Sequence, residues 1–319
     1  MNQTPISTAP LFSIITPVLN AGSTLADALG SVQQQDCKDF EHFVLDGLSS
    51  DDSLAVASRF PDVQVTSEAD GGLYEAMNRG AQKAHGKWLI FLQADDWLEP
   101  HALSAFAQAA EKNPSAELIT GAAHAVRWEH EHWTTQWKRD AVADMRLDVE
   151  GLALGEPMLN ARAYSRSLWE RAGGFDQSFS LASDRDFLLR LARMNLKTVE
   201  ITTPIYRYRW HEGSRTMNAG NALANRLTKE NLQIAENHLR GATLSEKKVL
   251  RRWHRKESIR LAMCALEAFQ RNDFFYAVGQ GFKVNANWGV FFFCEFMTSL
   301  SKMILRGGKT RSQVLQRQR

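Results

Sequence analysis

The sequence predicts an α/β protein: a mostly parallel sheet flanked by helices, followed by an α-helical C-terminal extension. Three observations carry this reading. Short apolar runs alternate with helical periodicity from Phe12 to Ile119, the pattern of repeated strand–helix–strand units. The run Trp88 to Leu92 is apolar without alternation, as strands buried on both faces are. From about Asn221 the strand signals stop and helical spacing takes over, as in Leu261, Cys264, Ala265 and Phe269.

Taken in order, Phe12 to Thr16 is a β-branched run stopped by Pro17. Ser23 to Gln35 reads as a helix with Leu25, Ala28, Leu29 and Val32 on one face and Ser23 or Thr24 as its cap. Glu41 to Asp46 is a second strand, Asp51 to Arg59 a short helix, and Val63 to Val65 a third strand. A helix over Tyr74 to Ala84 ends before Gly86, and the Trp88 strand follows. Pro100 to Lys112 is another helix and Glu117 to Ile119 another strand.

The length of 319 residues suits a main domain with a second element attached. We expect a flexible N-terminus over 1–10, a catalytic domain over 11–220 and a helical region over 221–319. Apolar content of 44% and charged content of 23% exclude disorder over most of the chain. A net charge of +2 gives no field that would call for nucleic acid. Cys37, Cys264 and Cys294 have neither metal-like nor paired spacing and read as reduced thiols of a cytoplasmic protein. Met1 to Pro10 is polar and does not read as a signal peptide. The stretch Trp288 to Met297 is aromatic, and no acid follows Glu295 while Lys302, Arg306, Lys309, Arg311, Arg317 and Arg319 do. Such a segment fits peripheral contact with the inner face of a plasma membrane, and equally a core helix with a solvated tail.

In parallel sheets ligands bind beyond the carboxyl ends of the strands. Those ends carry Asn20, Asp46-Gly47, Asp70-Gly71-Gly72 and Gln93-Ala94-Asp95-Asp96, a set of oxygen ligands on one edge. An aspartate at a strand end also caps turns; their joint occurrence points to a site. Adjacent carboxylates such as Asp95 and Asp96 repel, and a divalent cation, Mg²⁺ or Mn²⁺, relieves that. Asp96 also fits as the cap of the helix that begins at Pro100.

The order Ser13 to Asn20, Val44-Leu45-Asp46-Gly47, Asp70 to Gly80 and Gly86 to Trp97 resembles the family 2 inverting glycosyltransferases of GT-A fold, over roughly residues 10–215. The resemblance implies a nucleotide-sugar donor, commonly with uracil, whose base meets Asp46 in a pocket shaped by Pro17 and Asn20. It implies that Asp70, Gly71 and Gly72 approach ribose and phosphates and that Asp95 is the metal-binding carboxylate, with Asp96 beside it. Arg79 would neutralise phosphate, or else lie on a solvated helix face. The chain departs from the family at Gln93, where an acid is usual, and at Leu48, which stands in a glycine- and serine-rich loop.

Downstream, Ala182-Ser183-Asp184-Arg185-Asp186 opens a helix with Phe187, Leu188 and Leu191 spaced as a buried face. Asp184 matches the family's general base for the acceptor hydroxyl and also fits an N-cap; Asp186 should face away. In Tyr206 to Ser214, Arg209 would stabilise the leaving group and His211 would meet the metal or diphosphate, unless His211 is an unengaged loop residue. His124, His130 and His132 lie among Trp128, Trp133 and Trp137; a β-hairpin or acceptor-contacting segment suits them better than a metal cluster. The expected acceptor is a glycan or lipid-linked glycan. A nucleotidyltransferase and a catalytically impaired nucleotide-binding scaffold are the alternatives.

Overall fold

The computed structural model describes residues 9–211, 221–267 and 271–284, with the isolated positions 294, 297, 298 and 301. The aromatic stretch from Trp288, apart from Cys294 and Met297, and the basic tail from Lys302 lie outside the described residues, as do residues 1–8. Two compact units emerge, Met1–Leu152 with Glu156–Asn218, and Ala153–Gly155 with Ala219–Arg319.

In the first unit, β1 (Phe12–Val18), β2 (Phe40–Asp46), β3 (Val63–Ser67) and β4 (Trp88–Phe91) are connected through α1 (Leu25–Gln33), α2 (Ser53–Ala57) and α3 (Leu73–Lys83). They lie in the order β3-β2-β1-β4 and are mutually parallel, so all four end on one edge. The helix α1 buries Leu25, Ala28, Leu29 and Val32, the face its spacing predicts.

The chain continues through β5 (Trp97–Leu98), α4 (Ala102–Lys112), β6 (Leu118–Glu129), β7 (His132–Arg139), α5 (Val142–Met145), α6 (Val149–Leu154), β8 (Arg162–Ser165), α7 (Arg166–Ala172), α8 (Ser183–Ala192) and β9 (Thr198–Arg209). Among the described residues these complete a nine-stranded sheet, with β8, β6, β9 and β5 following β4 and with β7 paired to β6. Because β8 is antiparallel to both β4 and β6, and β6 is parallel to β9, the strands β6 and β9 run in the same sense as β1 to β4. The C-terminal ends of β6 and β9 therefore join the edge that carries the acidic strand ends.

Helix α8 is seated by an aromatic cluster. The Phe187 ring lies 5.0 Å from that of Phe175, 5.1 Å from Trp169 and 5.6 Å from Tyr164, and Phe91 at the end of β4 packs 5.5 Å from Phe175. Such aromatic contacts add about 0.5–1.5 kcal/mol each beyond area burial. They fix the start of α8, and with it Asp184, against the strand that delivers Asp95.

In the second unit α9 (Asn221–Leu239), α10 (Leu244–Glu267) and α11 (Arg271–Val284) pack around Leu232, Ile259, Leu261, Ala262 and Ala277. Lys229 bridges to Asp273 at 2.7 Å. Among the described residues no helix is long and apolar enough to cross a membrane.

Candidate active site

The loops after β1 and β2 are laced together. The Asn20 backbone N–H donates to Ser49 Oγ at 2.8 Å, and its Oδ1 accepts from the Ser50 N–H at 2.8 Å. Gly22 N–H donates to Asp51 Oδ2 at 2.9 Å and Ala21 N–H to Ser53 Oγ at 2.9 Å. Asn20 adopts φ +53° and Leu48 φ +61°, so both loops turn through the left-handed region that favours glycine. Pro17 lies within β1, buried. Asp46 closes β2, buried, with Oδ2 accepting from Ser67 Oγ at 2.6 Å and from the Ser49 N–H at 3.2 Å.

Asp70 stands beside this turn: a Cβ on Gly47 would come within 2.8 Å of Asp70 Oδ2. The other oxygen of Asp70 accepts from the Gly72 N–H at 2.9 Å, and Glu75 accepts from the Gly71 N–H at 2.9 Å. Gly72 has φ +125°, a conformation closed to other residues without strain. Asp46, Asp70 and Asn20 thus meet around one glycine-lined turn.

Asp95 and Asp96 part company. The loop bearing them is clamped by Thr24 Oγ1, which donates to the Ala94 carbonyl at 2.9 Å, and by Arg209 Nε, which donates to the Asp95 carbonyl at 2.7 Å. So held, Asp95 keeps a half-buried carboxylate 3.1 Å from His211 Nε2. Asp96 turns inward and is fully buried; Tyr206 donates its hydroxyl at 2.6 Å and Arg209 its backbone N–H at 2.8 Å, one to each carboxylate oxygen. Burial, then the charge of Asp95, pushes the Asp96 carboxyl well above the usual range. Asp96, expected beside Asp95 at a metal, thus has each carboxylate oxygen engaged by a donor inside the fold. It does not cap α4, whose N-cap is His101.

Arg209 and Arg79 both carry acidic partners within the fold. Arg209 pairs with Asp27, and its guanidinium lies 4.9 Å and 5.1 Å from the ring centroids of Trp97 and Trp133. Paired and stacked in this way, its side chain holds the Asp95 loop through the Asp95 carbonyl. Arg79 pairs with Glu68 at 2.6 Å and Glu75 at 3.7 Å and donates to the Ala69 carbonyl at 2.9 Å. Its charge is balanced by Glu68, in the loop that precedes α3, and by Glu75, in the first turn of α3.

Asp184 lies in the first turn of α8; the N-cap is Ala182, so Asp184 is not the cap. Its Oδ1 accepts from the Arg185 N–H at 2.8 Å. Burial pushes its carboxyl up, opposed by hydrogen bonds from the Arg185 amide and from the Tyr74 hydroxyl. Asp186 faces elsewhere, bonded to Arg190 at 2.9 Å.

Helix α3, which follows the Asp70–Gly72 loop, holds this segment. Asn78 Nδ2 donates to the Phe175 carbonyl and its Oδ1 accepts from the Phe175 N–H, both at 2.9 Å. Tyr74 and Asn78, four residues apart on one helix face, are thus the structural partners of the Asp184 loop. With Ser67, Asp27 and Tyr206 they form a supporting shell that the strand-end reading did not single out. The three histidines do not assemble: His124 is buried against Arg207 at 3.2 Å, whereas His130 sits in the turn of the β6–β7 hairpin and His132 opens β7. Among the described residues no group of three or more His, Cys, Asp or Glu side chains is placed to hold a metal ion.

The profile of glycosyl transferase family 2 matches residues 13–181. The chain belongs to that family. Over 188 residues this glycosyltransferase is 32% identical to the PGL/p-HBAD biosynthesis glycosyltransferase of Mycobacterium bovis, a match spanning 57% of this chain and 70% of the relative. It is 27% identical over 187 residues to a glycosyltransferase of Haemophilus influenzae, covering 57% of this chain and 62% of that one. Solved structures share the GT-A fold. TarS 1–349 of S. aureus, in complex with UDP, superposes with a TM-score of 0.59 at 16% identity, covering 84% of this chain and 80% of that one. The mannosyltransferase PcManGT of Pyrobaculum calidifontis, in complex with GDP-Man and Mn2+, gives a TM-score of 0.56 at 18% identity, covering 97% and 84%. Family membership sets the nucleotidyltransferase alternative aside.

Proposed function

We propose that this glycosyltransferase moves a sugar, with inversion, from a nucleoside-diphosphate sugar to a hydroxyl of a glycan or lipid-linked glycan. UDP is the expected nucleotide. The observation that carries the proposal is the convergence of Asp95 and His211, separated by 116 residues in sequence and 3.1 Å apart in space, on the edge that also bears Asp46 and Asp70. A half-exposed carboxylate beside an imidazole fits a divalent cation whose remaining positions go to diphosphate oxygens, and the imidazole favours Mn²⁺ over Mg²⁺. When bound, such an ion neutralises charge on the departing diphosphate.

The chain's own residues do the rest. Asp46, fixed by Ser67 and Ser49, is oriented to accept from the base. Pro17 and Asn20 shape its pocket, and Asp70 serves the ribose beside Gly71 and Gly72. Asp184 takes the proton of the acceptor hydroxyl as that oxygen bonds to the anomeric carbon and the bond from that carbon to the diphosphate oxygen breaks. A carboxyl raised by burial is a better proton acceptor than an exposed one, which suits a general base near neutral pH. The basic and aromatic composition of 288–319 supports a cytoplasmic enzyme in peripheral contact with the inner face of the plasma membrane.

Calorimetric titration with UDP, with and without Mn²⁺, tests the donor reading. We expect Mn²⁺-dependent binding that weakens at least about tenfold, about 1.4 kcal/mol, in Asp95→Ala. Binding that ignores Mn²⁺, or an Asp95→Ala protein that binds as the wild type does, would contradict it.

A further inference from the structure

One exposed feature of the first unit has no part in the chemistry above. Trp128 and Trp133 are directly opposed across the β6–β7 hairpin, so their indoles share one face. Their ring centroids are 5.2 Å apart at an interplanar angle of 68°, and Trp133 continues to Trp97 at 4.9 Å. Trp128 is 56% exposed and Trp133 40%. The neighbouring register positions Arg127 and Glu129 point to the other face, where they form an ion pair at 3.3 Å and Thr134 donates to Glu129 at 3.0 Å. The hairpin is therefore two-sided, polar on one face and an uncovered aromatic strip on the other. Leaving large indoles in water forfeits stabilisation, so such a strip calls for an occupant.

Its position narrows the choice. The strip runs into Arg209, which lies over Trp97 and Trp133 and donates to the carbonyl of Asp95. The hairpin also rises from the sheet edge where the strands carrying Asp46 and Asp95 end. We propose that the Trp128–Trp133 face binds a neutral sugar ring of the acceptor glycan. The C–H face of a pyranose is apolar and slightly positive, which matches the negative face of an indole, while its hydroxyls stay in water. Charge disfavours an anionic membrane as the occupant. The hairpin tip carries Glu129 and Glu131, and its one arginine, Arg127, is paired with Glu129. This inference rests on the glycan-acceptor reading above and adds where that acceptor is gripped.

The test titrates the full chain, without nucleotide, against methyl glycosides of glucose, galactose, mannose, rhamnose and N-acetylglucosamine and their β-linked disaccharides. Saturation-transfer NMR and tryptophan fluorescence report binding. The expected result is binding of at least one of these saccharides, weakened about tenfold or more in Trp128→Ala and largely kept in Trp128→Phe, with both variants folded by circular dichroism. The proposal is overturned if no saccharide of the panel binds, if Trp128→Ala binds as tightly as wild type, or if Trp128→Phe loses as much as Trp128→Ala. It is likewise overturned if Trp128 governs only adhesion to phosphatidylglycerol vesicles. UDP titration of the wild-type protein reports separately on the donor site, so failure of one reading is not mistaken for failure of the other.

Discussion

Replacing Asn78 with alanine should uncouple the two halves of the active edge. The Asn78 amide makes two buried hydrogen bonds of 2.9 Å, one to each backbone polar group of Phe175. Its loss strands a buried N–H and a buried carbonyl, at about 1–3 kcal/mol each. A total of about 2–6 kcal/mol corresponds to a fall in Tm of roughly 4–24 °C for a domain of this size. Phe175 packs on Phe187 in α8, so the disturbance reaches Asp184 while the Asp46 and Asp70 loops stay intact. Differential scanning fluorimetry and steady-state kinetics follow both effects: Tm should fall and kcat should drop, with the KM for the nucleotide sugar little changed. A Tm within about 2 °C of wild type would refute the account of this contact. So would a variant that loses donor affinity but keeps kcat.

Two further outcomes follow from the same geometry. The folded-state pKa of Asp184 is raised, so the native state binds its proton more tightly than the unfolded chain. Stability from this group is present below the unfolded value and is lost as pH rises through the folded one. Asp184→Asn should therefore raise the Tm at pH 7 and lose that advantage near pH 4, and equal shifts at both pH values would contradict this. The hairpin turn holds His130 at φ +50° and Glu131 at φ +65°, the left-handed pair of a tight turn that favours Asn-Gly. Glu131→Gly should stabilise by about 0.5–1 kcal/mol in urea unfolding, and a loss of stability would show that the turn is not strained.

Much of the acidic sheet edge was legible because an apolar strand and the oxygen that follows it are neighbours in sequence. Asp46, Asp70 and Asp95 could be read that way, and so could the α1 face. What escaped depends on distant partners. Asp95 and Asp96 are adjacent, and nothing local tells which one faces the core; Tyr206, 110 residues on, decides it. Arg209 looks like a free cation until Asp27, 182 residues away, is seen to neutralise it. Tyr74 and Asn78 share a helix face in the sequence, but their role appears only when the 175–184 segment folds back on them. The strand β9 was hidden by Pro204, which opposes Ala122 at a register shift that absorbs the missing N–H.

The proposed role of Asp184 as general base of this family 2 glycosyltransferase is tested by comparing donor binding and turnover in Asp184→Asn. A donor and acceptor pair found active with the wild type serves as substrate. Transfer is expected to fall by two orders of magnitude or more, with UDP and Mn²⁺ still bound at near wild-type affinity. Undiminished turnover in Asp184→Asn would contradict it.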